Sequence, residues 1–103
     1  MVKTIYTLEE IKEKFAPIAL EYGVGKVLLF GSYARREAIP DSDLDFYIVD
    51  KGRLRSLLEL SGMVLDLQEC FGCEIDLLSG KIEDSVLYDN IMQEGVVVYD
   101  QSR

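Results

Sequence analysis

At 103 residues, with 49% hydrophobic and 29% charged residues, the chain has the composition of one folded domain, 1–103, and not of a disordered segment. Nineteen acidic against eleven basic residues leave a formal charge of −8, which repels a phosphate backbone and argues against direct binding of polymeric nucleic acid. The absence of histidine excludes Ser-His-Asp and Cys-His chemistry and most catalytic zinc sites. No apolar run approaches the ~20 residues that span a bilayer, and the N-terminus has no secretory-type apolar segment, so a cytoplasmic location with no membrane contact is expected.

In chain order, Thr7-Leu8-Glu9-Glu10 has the form of a capping box. Leu8, Ile11, Phe15, Ile18, Ala19 and Tyr22 then recur at helical spacing, predicting an amphipathic helix over 7–22 that Pro17 should kink or split. Gly23 and Gly25 end it, and Val27 to Phe30 reads as a short strand buried on both faces. A short helix is expected over Tyr33 to Glu37, then a turn at Ile39-Pro40-Asp41-Ser42 and a second strand from Asp43 to Val49. Leu57, Leu60, Val64, Leu67 and Phe71 step by three and four, predicting a long helix from Arg53 to Phe71, with Gly62 a weak point inside it. A third strand is expected over Glu74 to Leu78. A short helix follows over Asp84 to Gln93, with Val86, Leu87 and Ile91 inward, then a last strand over Val96 to Tyr99 and a frayed end. The alternation gives an α/β (α+β) class, a small mixed sheet with helices packed on it.

Cys70 and Cys73 form a C-x-x-C pair. No further Cys or His exists to complete a zinc site, and the pair closes a helix where a thioredoxin-type pair would open one, so both read as reduced structural thiols.

The chemistry concentrates in Gly31 to Asp45, GSYARREAIPDSDLD. Gly31-Ser32 sits where a strand ends and a helical turn begins, so backbone N–H groups and the Ser32 hydroxyl are available to the terminal phosphates of a nucleotide. Residues two apart on a strand share a face, so Asp43 and Asp45 project together while Leu44, Phe46 and Ile48 face the core. Carboxylates roughly 6–7 Å apart repel by about 2.5 kcal/mol at an effective dielectric of about 20. Mg²⁺ held by one or two carboxylates and substrate phosphates relieves such repulsion. Asp76 is the candidate third carboxylate, on the same face if its strand neighbours the second; it would complete the metal site and help deprotonate an attacking hydroxyl. The G-S-x10-D-x-D pattern is expected by chance in about one chain in a thousand of this length.

At Gly31-Ser32, Asp43-x-Asp45 and Asp76 the sequence resembles the DNA polymerase β-like nucleotidyltransferase superfamily. It is most similar to the minimal nucleotidyltransferases (the MNT, or MntA-like, proteins), through LLFGSYAR, PDSDLDFYIV, EIDLL and IMQEGVVVYD. The resemblance implies nucleotidyl transfer from ATP with two Mg²⁺ ions and loss of pyrophosphate. By the same match Gly31 and Ser32 bind phosphates, Asp43 and Asp45 hold both metals, and Asp76 completes the catalytic metal site. Arg35 matches a family arginine that contacts phosphates or the partner. Family members often pair with a HEPN-domain toxin, and some act as antitoxins by AMPylating a toxin tyrosine. The expected activity is therefore adenylyl transfer to a hydroxyl, most simply a tyrosine of a HEPN-type toxin. The alternatives are a non-catalytic antitoxin that neutralises its partner stoichiometrically and an aminoglycoside-type adenylyltransferase. One departure is visible: the glycine usual after that arginine is Arg36 here.

Overall fold

The computed structural model describes residues 5–102. The expectations for the chain's extreme ends fall partly on residues 1–4 and 103, outside the described residues. Helix α1 spans Leu8–Tyr22, strand β1 Lys26–Phe30, β2 Leu44–Asp50, helix α2 Leu57–Phe71, β3 Ile75–Ser79, helix α3 Ser85–Glu94 and β4 Val96–Asp100. The strands form one mixed sheet in the order β3-β2-β1-β4. β1 is antiparallel to both β2 and β4, and β2 is parallel to β3. A parallel pair needs a long crossover, and α2 supplies it.

Capping chemistry sets the helix starts. Thr7 and Glu10 close the expected capping box on α1. Ser56 and Glu59 close a second one on α2. That second box moves the start of α2 to Leu57 and leaves the expected first turn at Arg53 outside the helix, because Ser56 takes extended backbone and bonds the N–H of Glu59. Pro17 does not split α1, which is continuous through it. Pro17 and Glu13, whose carbonyl loses its partner, are solvent-exposed, while buried Phe15 and Ala19 hold the helix to the core on either side. Gly62 also leaves α2 unbroken. A Cβ there would meet the Tyr22 hydroxyl at 3.0 Å, and that hydroxyl donates to Asp66 at 2.7 Å, so the glycine lets the two helices close on this bond.

The main core lies between the helices α1 and α2 and one face of the sheet. Phe46 is its centre, with ring centroids 4.7 Å from Phe15 and 6.3 Å from Phe71. Ile11, Val27, Leu29, Leu44, Ile48, Met63 and Leu67 close around it. Met63 is fully buried where its neighbour Val64 was expected inward and is only partly buried, and Leu57 is 81% exposed in the first turn of α2. Cys70 and Cys73 are partly buried thiols packed against this core.

The second sheet face is thinner: Leu28, Phe30 and Tyr47 pack with Ile91 of α3. Of the three α3 residues expected inward, only Ile91 is buried; Val86 is 67% and Leu87 37% exposed. α3 therefore lies on the sheet by one fully buried anchor. At the C-terminal end Gln101 is tied down, its N–H donating to the Gly25 carbonyl at 2.8 Å, where fraying was expected. Ile91→Ala should cost about 3 kcal/mol and loosen α3 selectively, measured by urea unfolding and by faster amide exchange across 85–94 than across α1 and α2.

Candidate active site

β1 ends at Phe30 and passes into Gly31, whose φ of 77° is open to glycine and strained for other residues. A Cβ at Gly31 would also collide with the Asp45 carboxylate, so the glycine lets the turn settle directly against that side chain. The expected helix over Tyr33 to Glu37 is a single turn instead. Arg36 N–H donates to Tyr33 O at 3.3 Å and Glu37 N–H to Ser32 O at 2.9 Å, the paired bonds of a helix stop, with Arg36 in the left-handed region at φ 61°. That conformation explains why a glycine suits the position that Arg36 occupies. The N–H groups of Ser32, Tyr33 and Ala34 donate to no acceptor among the described residues and remain available to an anion.

The carboxylates come from two neighbouring strands. Asp45 and Asp76 are register partners in the parallel β2–β3 pair, and Asp43 is exposed one residue before β2. Alternation puts Asp45 on the face of Tyr47 and Asp76 on the face of Leu78, both of the thin, α3-covered side. Burial, then the charges of Asp76 and Asp43, push the Asp45 carboxyl up to about 6, with Arg35 opposing the shift. The three acids expected from sequence are thus within electrostatic reach of one another at the mouth of the Gly31 turn.

Arg35 does not stand free. Its Nε donates to Glu37 Oε1 at 2.9 Å and its Nη1 to Glu94 Oε1 at 3.1 Å. Sequence reasoning missed both acceptors; Glu94 lies 59 residues away, and nothing local signals the pairing. Tyr47, two residues past Asp45 on the same face, donates its hydroxyl to the Gly80 carbonyl at 2.9 Å and ties β2 to the end of β3. An apolar groove of about 380 Å³ lies on the opposite side of the sheet, covered by α1 and α2, among Tyr6, Leu8, Ile11, Leu29, Tyr33 and Val96, and none of the three acids lines it. The acids occupy an open surface, a setting for a large ligand that brings its own charge.

The donor set suits Mg²⁺ in a particular way. Among the described residues no three Asp, Glu, Cys or His side chains are placed so that they could hold a metal ion by themselves. Hard carboxylate oxygens abreast on two strands, beside free backbone N–H groups, fit an ion that is completed by substrate phosphates and water. Asp45, strained by its like-charged neighbours, gains most from such a cation.

A helix-backed mixed sheet with a phosphate-type turn after its first strand and acids on its next two is the architecture of nucleotidyltransferases. Residues 9–103 match the family model described as polymerase beta, nucleotidyltransferase, and the chain belongs to that family of enzymes. MJ0435 of Methanocaldococcus jannaschii, provisionally named a protein adenylyltransferase, is 41% identical over 91 residues, 88% of this chain and 97% of that protein. The protein adenylyltransferase MntA of Thermococcus cleftensis is 33% identical over 96 residues, 89% and 96% of the two chains. Among solved structures, one described provisionally as a minimal nucleotidyltransferase superposes with a TM-score of 0.69 at 28% identity, over 90% of this chain and 97% of that one. A toxin–antitoxin structure with AMP-PNP gives 0.69 at 17% identity, over 86% and 73% of the chains. A tri-AMPylated Shewanella oneidensis HEPN toxin in complex with its MNT antitoxin gives 0.63 at 15% identity, over 93% and 75%. These last two share the fold.

Two outcomes follow for the site. Asp45 has a folded pKa of about 6 against an ordinary 3.8, so it costs no stability below pH ~4 and its full penalty above pH ~6. Asp45→Asn should accordingly be the more stable protein in metal-free buffer at pH 8, by about 1 kcal/mol after allowance for solvent screening, with the gap closing at pH 4 in urea titrations. Arg36→Gly should raise stability by about 1 kcal/mol, read as a higher urea midpoint with an unchanged slope.

Proposed function

We propose that this nucleotidyltransferase transfers AMP from ATP to a protein hydroxyl, a tyrosine of a HEPN-type toxin, and so acts as the antitoxin of the pair. The observation that carries the reading is the pairing of Asp45 with Asp76 beside the Gly31 turn, which brings phosphate-binding and metal-binding groups to one point. Support for the protein acceptor comes from relatives named protein adenylyltransferases that match this chain over nearly their whole length. The HEPN partner is suggested by fold neighbours that are complexes with such toxins.

In this reading the N–H groups of Ser32, Tyr33 and Ala34, with the Ser32 hydroxyl, hold the outer phosphates, and Gly31 keeps the backbone close enough to do so. Arg35 lends a guanidinium to the same phosphates. Asp43, Asp45 and Asp76 would hold Mg²⁺, two ions by analogy with the family, and bound metal supplies the positive charge that joins acids to triphosphate and stabilises departing pyrophosphate. The acceptor oxygen forms a bond to the α-phosphorus as the bond from that phosphorus to the pyrophosphate oxygen breaks. Asp76, exposed beside Asp45, takes the hydroxyl proton at its carboxylate.

The formal charge of −8 favours a second reading, a binding module that neutralises a basic toxin by contact alone. Incubation with α-labelled ATP, Mg²⁺ and the HEPN-type toxin separates the two. Label should appear on toxin tyrosine and fall by at least ~100-fold with Asp45→Ala. Full neutralisation with no label on the toxin would leave only the binding module.

A further inference from the structure

The sheet register brings α3's last residue to the phosphate turn. Leu28 pairs with Val97 and Leu29 with Val96 in the antiparallel β1–β4 ladder, and continuing that register sets Glu94 alongside Gly31. The approach is tight on both sides. Ile91 is fully buried under the sheet, the Gly95 N–H donates to the Ile91 carbonyl at 2.8 Å, and a Cβ at Gly95 would come within 3.2 Å of Leu28. Glu94 therefore starts from a fixed backbone, and its side chain is only 26% exposed against 64% for Glu37.

Arg35 has no comparable support of its own. It sits at the exposed end of the single turn that follows Ser32, on a long side chain that loses rotamer entropy on ordering. Glu94 takes Nη1 and Glu37 takes Nε, and together they direct the guanidinium while leaving the Nη2 edge without a partner among the described residues.

We propose that Glu94 is a positioning residue for nucleotide binding: it anchors Arg35 to the end of α3 so that the free edge of the guanidinium is presented to the nucleotide's phosphates. The residue acts through Arg35 and touches neither phosphate nor acceptor. The inference rests on the assignment of Arg35 to the phosphates in the proposed function. Exposed ion pairs contribute little to folding, so the role of this one is orientation.

The test is calorimetric titration of the full chain with AMP-PNP and Mg²⁺, alongside adenosine, for wild type, Glu94→Ala, Glu94→Gln, Arg35→Ala and the double variant. Glu94→Ala should weaken AMP-PNP binding about five-fold, and Arg35→Ala at least as much. Glu94→Gln, which keeps an acceptor, should recover part of the loss. The double variant should be no weaker than Arg35→Ala alone, adenosine binding should be unchanged throughout, and melting temperatures should agree with wild type. Additive losses in the double variant, or an equal loss of adenosine binding, would overturn the inference. Wild-type affinity in Glu94→Ala with weakened binding in Arg35→Ala would overturn it while leaving Arg35 on the phosphates. No effect from Arg35→Ala would remove both assignments.

Discussion

Two carboxylates held abreast on parallel strands are the constraint around which this molecule is arranged. Asp45 and Asp76 share a register position, and burial, followed by the repulsion between them, raises the Asp45 pKa. The main core is what holds them there. Phe46 follows Asp45 in the chain and is locked between Phe15 and Phe71, so β2 cannot slip by one residue without exposing that ring and burying a carboxylate. Ile75 and Leu77 do the same for Asp76 from the next strand. The destabilising pair is thus sustained by apolar packing on the opposite face of the same two strands.

The two sides of the sheet divide stability from chemistry. The side covered by α1 and α2 carries most of the buried residues and the aromatic centre. The other side is held by a four-residue cluster and one helix anchored at Ile91, and it carries the acids. A site on the thin side keeps its charged groups solvated until a nucleotide arrives, while the thick side holds their backbones rigid. Gly31 joins the two sides: the turn it permits lies against Asp45, so the backbone N–H groups of that turn and the acids are adjacent by backbone geometry alone.

The acidic balance has a double consequence. It sets like charges close together at the carboxylate site, and it gives the molecule an electrostatic preference for basic partners. The exposed apolar residues at the start of α3 lie on the same side as the acids, while the end of that helix reaches the phosphate turn through Arg35.

Much of this was legible in the chain itself. The elements, the capping box at Thr7, the Gly-Ser turn and the alternation that separates Asp45 and Asp76 from their apolar neighbours are local patterns, written by backbone sterics and by burial at periods of two and 3.6 residues. The inward face of α3 and the start of α2 differ from expectation because apolar spacing does not say which apolar residues find a surface to pack on, and because Ser56 competes for the helix start. The single turn at 32–36 was hidden by Arg36, a residue type that rarely takes left-handed backbone. Tertiary structure alone decided which strands neighbour one another, and therefore that Asp45 meets Asp76, that Gly31 meets Asp45 and that Glu94 meets Arg35. Those contacts join residues 14 to 59 positions apart, and only sheet register and core packing carry information over such distances.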